Sequence, residues 1–119
     1  MFILRESTTH THRITTTTMK LFRIYLGLDT KGQLTTEQAR ETALGLATDY
    51  FPHGHTIIEA TGRWQQDNAP VTEPTIIVEV LTTYTNEEAK VRQLAGGYKA
   101  LAFQEAVMIT STEIEADFV

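Results

Sequence analysis

The chain contains no cysteine, which removes disulfide bridges, thiolate metal sites and cysteine nucleophiles together. Only carboxylate, imidazole, hydroxyl and backbone groups are left to build a site. It also has no run of Lys or Arg. Ten basic against fifteen acidic side chains give a formal net charge of -5, a field that repels phosphate backbones and anionic lipid headgroups. Binding to nucleic acid or to a membrane surface is therefore not expected. Long apolar runs are missing too: nothing could span a bilayer, and the opening MFILRESTTHTHRITTTTM has no continuous signal-peptide core. The expected location is the cytoplasm. Nucleophile elbow, phosphate loop and metal motif are all lacking, so no cofactor and no bound metal are expected, and a binding role ranks ahead of catalysis.

What is present suits one domain, since 119 residues can enclose one core but not two. Residues 1–19 read as a flexible threonine-rich segment. Seven of the eleven residues from Thr8 to Thr18 are threonine, and polar terminal tracts of that kind seldom pack. Its His10 and His12 offer at most an adventitious metal chelate.

From residue 20 to 119 the pattern is that of a folded domain. KLFRIYLGL predicts a strand over about 20–28, with apolar residues on both faces as in a central strand. Thr35 and Gln38 have capping-box spacing ahead of a helix over about 36–50, whose apolar stripe is Ala39, Ala43, Leu46, Ala47 and Tyr50. Pro52 and Gly54 end it, Gly54 being read as a positive-φ position. HTIIEATGRWQ predicts the second strand, to about 65. QDNAPVTEP reads as a longer-than-minimal hairpin loop leading to TIIVEVLTT, the third strand. Thr85 and Glu88 repeat the capping-box spacing before a helix over about 86–102, with Val91, Leu94, Ala95, Tyr98, Leu101 and Ala102 on its apolar face and Gly96-Gly97 marking a kink or a close contact. EAVMITSTEI predicts a fourth strand that EADFV can extend.

The order β-α-β-β-α-β defines an α+β, ferredoxin-like domain, a four-stranded antiparallel sheet with two helices on one face. Its other face, which includes part of the apolar stretch Ile76–Leu81, is expected to be covered by another copy, making a homo-oligomer.

The segments LFRIYLGL, FPHGHT, GRW, Glu73 and YKALAFQEAVMI together resemble a small bacterial family of unassigned function. Its pattern carries F-P-x-G-x-T, G-x-W, a Glu before the return strand of the hairpin, and Y-K…F-x-Q-x-S-V. The resemblance covers about residues 20–110, with Ala106 standing where a small hydroxyl residue is usual. It implies a ferredoxin-like fold and marks residues without implying an activity.

Six side chains are the candidate ligand-binding set: Arg63, Trp64, Tyr98, His55, Glu73 and Glu105. Trp64 is the sole tryptophan and sits beside a guanidinium able to grip a carboxylate or phosphate, just before a hairpin. Glu73 mirrors Arg63 about a turn centred near Asn68, which predicts a structural Arg63–Glu73 pair. His53 and His55, with Glu59 on the same strand face, form a weaker metal candidate, ranked below a plain turn. The leading functional reading is an oligomer that binds or sequesters a small anionic metabolite or nucleotide signal. Two alternatives remain: a cofactor-free enzyme of the dimeric α+β barrel type, with His55, Glu73 or Glu105 as acid or base and Arg63 holding an anionic group, and a protein-protein or inhibitory module acting through the open sheet face.

Overall fold

The structure, a computed structural model, describes residues 6–8, 13–83 and 86–119. The elements run β1 (Glu6–Thr8), β2 (Arg13–Gly27), α1 (Thr36–Tyr50), β3 (Thr56–Gln66), β4 (Ala69–Thr82), α2 (Asn86–Leu101) and β5 (Met108–Phe118). β2 pairs antiparallel with both β4 and β5, and β3 pairs antiparallel with β4. The four long strands therefore lie in the order β5-β2-β4-β3, which is the ferredoxin-like sheet, and β1 adds a short pairing at the start of β2.

Helix α1 begins where the sequence places it because both halves of the capping box form. The Thr35 hydroxyl accepts from the Gln38 N–H at 3.0 Å, and the Gln38 side chain accepts from the Thr35 N–H at 2.9 Å. Ala39, Ala43 and Ala47 are buried, and their small size brings the helix close to its neighbours. A Cβ added at Gly97 of α2 would make an ordinary contact with Leu46 at 3.8 Å, and one at Gly96 would meet nothing within 4 Å. The glycine pair therefore does not mark a contact too close for a side chain, and α2 runs unbroken across it. The second capping box involves Thr85, which lies outside the described residues, as do His10 and His12.

One core forms between helices and sheet. Phe22, Ile24 and Leu26 of β2 and Ile76, Val78 and Val80 of β4 meet the helix alanines, Val91, Leu94 and Tyr98. Residues between them in sequence, such as Tyr25, Ile77 and Leu81, point to the opposite face and are half-buried. That open face also carries Arg23 and Glu79, ion-paired at 2.9 Å, so it is less uniformly apolar than the run Ile76–Leu81 suggests.

Three expectations change. The first strand starts at Arg13 rather than near residue 20, because the end of the chain supplies a partner: Thr15 opposes Phe118 and Thr18 opposes Glu115. Threonine is β-branched and pairs well once a neighbouring strand exists. The hairpin loop is minimal, with Asp67 and Asn68 both at positive φ (51° and 64°) and Gln66 opposite Ala69, as in a two-residue type I′ turn. Pro70 and Pro74 read as loop residues in sequence; they fit in β4 because the β2 ladder stops at Thr75, and the bond just beyond it, from the Leu28 N–H to the Pro74 carbonyl at 2.9 Å, needs no donor from proline. Finally, Gly32 is the only described glycine at positive φ (80°), so Gly54 does not have the positive φ expected of it.

Candidate functional site

The Arg63–Glu73 pair does not form. The turn centre falls between Asp67 and Asn68, so Arg63 opposes Thr72 and Glu73 opposes Gly62. A shift of one residue sends a side chain to the other face. Arg63 lies on the helix side of the sheet, while Glu73 lies on the open side with Trp64. The sheet-borne partner of a helix arginine is instead Glu59, which pairs with Arg40.

Glu73 is accommodated by two glycines. On β3 it faces Gly62, which has no side chain to crowd it. On β2 its carboxylate lies over Gly27, where an added Cβ would come 2.5 Å from Glu73 Oε1. Lying there, Glu73 Oε2 accepts the Asp29 N–H at 2.9 Å. Burial raises the Glu73 carboxyl above the usual carboxylate range, the Asp29 N–H opposes that rise, and the Asp29 charge adds to it.

From the helix side, the fully buried Tyr98 donates its hydroxyl proton to the Gly27 carbonyl at 2.5 Å. Burial, then the nearby Glu73 charge, pushes the Tyr98 phenol up to about 12. Gly27 is thus gripped from both faces of the sheet.

Asp29 is where three segments meet. Its N–H goes to Glu73, its carbonyl accepts from Gln104 Nε2 at 2.9 Å, and its Oδ1 accepts from the Lys31 N–H at 2.9 Å. Lys31 Nζ in turn reaches Glu105 Oε1 at 2.7 Å. The buried Thr30 ties the same loop to Leu34 with two hydrogen bonds.

The C-terminus of α2 contributes an unusual residue. Gln104 N–H donates to the Lys99 carbonyl at 3.0 Å, with Phe103 before it at φ 56°. This is a Schellman ending whose left-handed position holds phenylalanine where glycine is preferred. The choice costs about 1 kcal/mol. The ring it places there is 52% exposed.

These pieces enclose a cleft of about 520 Å³ lined by Asp29, Lys31, Trp64, Glu73, Phe103, Glu105 and their neighbours. Trp64 is 41% exposed, so it is not a core tryptophan. Of the candidate residues, Trp64, Glu73 and Glu105 come together here, and Tyr98 supports the strand behind them. Arg63 is on the wrong face. His55 immediately precedes β3 at its far end, roughly 30 Å from Trp64 at about 3.3 Å per residue; its Nδ1 is 2.9 Å from the Phe51 carbonyl oxygen. His53 borders a hollow of about 30 Å³, room for little more than a water. No three metal-ligating side chains cluster among the described residues. Sequence reasoning missed Asp29, Lys31 and Phe103, and only the "F-x-Q" element of the family pattern pointed near the last.

Fold and cleft together define a small ferredoxin-like α+β domain with a mixed polar and aromatic cleft at one end of its sheet. Within that class, the chain belongs to the family described as "Protein of unknown function (DUF3574)", whose model matches residues 22–118. Solved structures of a phage enzyme share the fold. A phage SAM lyase in complex with S-methyl-5′-thioadenosine is 16% identical, with 84% of this chain and 88% of that one covered, at a TM-score of 0.60. A phage SAM lyase in the apo state is 15% identical, with 83% and 87% covered, also at 0.60. No curated protein matches the sequence. No described helix is long and apolar enough to cross a membrane.

Proposed function

We propose that the protein binds an adenosine-bearing small molecule in this cleft, with the base laid against Trp64 and the remainder reaching toward Glu73 and Asp29. The observation that carries the reading is the meeting of two exposed aromatic rings, Trp64 and Phe103, with a half-buried carboxylate in one cleft. Flat aromatic side chains stack on bases at about 1–3 kcal/mol per base, and a few fixed polar groups then orient the ligand. The strained placement of Phe103 supports the same reading, because a costly backbone conformation is retained where its side chain has a use. Support of a different kind comes from the phage lyase, which has the same fold and is described in complex with an adenosine thioether.

The anionic ligand expected from the sequence depended on Arg63. With Arg63 on the other face, no guanidinium is among the described residues that line the cleft. Self-association through the open sheet face remains part of the proposal, to be measured as mass in solution by light scattering.

Because Trp64 is the only tryptophan, its fluorescence reports on the cleft directly. Titration with S-methyl-5′-thioadenosine should change the emission saturably, and Trp64→Phe should abolish the signal and weaken binding measured by calorimetry. Absence of saturable binding to the wild-type protein up to millimolar ligand sinks the proposal.

A further inference from the structure

We infer that the ligand carries a positive charge, an organic sulfonium or alkylammonium attached to its ring system, and that this charge sits against the Glu73 carboxylate. The inference rests on the binding reading above and adds the ligand's charge to it.

The argument begins with the cleft's own charges. Three carboxylates, Asp29, Glu73 and Glu105, line it against one cation, Lys31. Lys31 is engaged with Glu105 at 2.7 Å. Among the described residues no Lys, Arg or His forms an ion pair with Asp29 or Glu73, and the Lys31 charge also acts on Asp29, so Glu73 is the cleft carboxylate whose charge no described cation offsets. The hydrogen bonds to both come from the backbone: the Lys31 N–H to Asp29, and the Asp29 N–H to Glu73 Oε2. Glu73 Oε1 accepts no hydrogen bond within the described protein.

Geometry singles out Glu73 as well. Gly62 and Gly27 flank it, so no Cβ on the neighbouring strands covers its carboxylate from the open face. In the β3–β4 ladder Trp64 opposes Val71 and Gly62 opposes Glu73, which makes Trp64 and Glu73 diagonal neighbours on one face. A cation placed over Gly62 would meet a carboxylate on one side and an indole on the other. A carboxylate attracts any cation; an indole face favours weakly hydrated organic ones. Small inorganic ions fit poorly, since hard cations need several oxygen ligands and a ring supplies none. The chain's net charge of -5 acts in the same direction over longer range. A phosphate group would face the Glu73 carboxylate, which no described cation offsets, with Asp29 beside it.

The test is a set of three probes with one base and three charges, each titrated against Trp64 fluorescence at low and moderate salt. They are S-methyl-5′-thioadenosine, which is neutral, its S-methylated dimethylsulfonium derivative, and adenosine 5′-monophosphate. The sulfonium should bind about tenfold more tightly than the thioether, and the monophosphate more weakly than either, a difference within reach of one cation–π contact plus one carboxylate. Raising the salt should narrow the gap. Glu73→Gln should bring the ratio of the sulfonium and thioether affinities close to one, and Asp29→Asn should reduce it less. Equal binding of sulfonium and thioether by the wild-type protein, or tightest binding of the monophosphate, overturns the charge assignment while leaving the cleft as the binding site. If none of the three binds, the adenosine reading fails and this inference falls with it.

Discussion

The two ends of the sheet contrast sharply. At one end, FPHGHT holds two histidines, a proline and a glycine in six consecutive residues, and it forms a helix stop around a water-sized hollow. At the other end, Asp29, Trp64, Glu73 and Phe103 are scattered over 75 positions and line the large cleft. A density of chemically capable residues in sequence therefore marks a turn here, whereas the candidate site is assembled from residues that only register and loop docking bring together. The conspicuous end is held by local contacts, the Gly54 N–H and His55 Nδ1 meeting the Phe51 carbonyl and the Phe51 N–H donating to Ala47. The inconspicuous end is held by long-range hydrogen bonds that join four segments.

The strongest way to break the cleft end is through its support. Tyr98→Ala removes a fully buried ring and should cost about 3–5 kcal/mol in denaturant unfolding. Tyr98→Phe keeps the ring and leaves the Gly27 carbonyl without its donor, for a loss of about 1–2 kcal/mol. The phenol also sets a pH window. The unfolded chain releases this proton near 10 and the native state near 12, so the native state holds more protons between them. Stability must therefore fall as pH rises from 10 to 12, by on the order of 2 kcal/mol. Tyr98→Phe should lack that part of the decline.

Gly27→Ala sharpens the comparison by acting on Glu73 without touching the core packing of the helices. The new methyl would occupy the carboxylate's place at 2.5 Å, so Glu73 must swing away and release the Asp29 N–H. Binding should drop at least about tenfold, with stability changed by only about 1 kcal/mol. Retained affinity would mean that Glu73 does not need its present position.

Phe103→Gly separates function from stability. The left-handed position suits glycine, so the variant should unfold about 1 kcal/mol later while binding the ligand several-fold more weakly, as stability–function trades predict. A loss of both would make Phe103 a packing residue. The smallest effects belong to the other end and the other face. His55→Ala and Arg63→Ala should leave cleft binding unchanged in the same fluorescence titration, and any marked loss there would contradict the present division of the molecule.

The acidic pair adds a further pH effect. Because the Glu73 carboxyl is raised, its ionisation in the native state is disfavoured, and it contributes stability at low pH that disappears as pH rises through its folded value. Glu73→Gln should therefore lose less stability than the wild type as pH rises from acid toward neutral.

Much of the fold was legible in the sequence. The 36–50 helix, its capping box, the strand-helix order and the alternation in Ile76–Val80 depend on spacing along the chain, and local spacing is what a sequence displays. The threonine tract was read as flexible because β-propensity has no consequence until a partner strand is present, and the partner is at the opposite terminus. The hairpin was read as long because prolines signal loops unless the neighbouring strand is known to need no donor there.

The candidate site was legible in part for a related reason. Trp64, Glu73 and Glu105 could be named from their chemistry, but not the face on which each would lie. That depended on whether the hairpin turn centres on Asn68 or half a residue earlier, a difference that reverses Arg63 and Glu73 relative to each other. By itself the sequence determined the periodicities, the caps, the absence of thiol and basic-surface chemistry, and hence the class of fold. The tertiary structure alone decided which residues share the cleft, because the strand register, the two glycines beside Glu73 and the docking of Gln104 on Asp29 exist only between segments far apart in the chain.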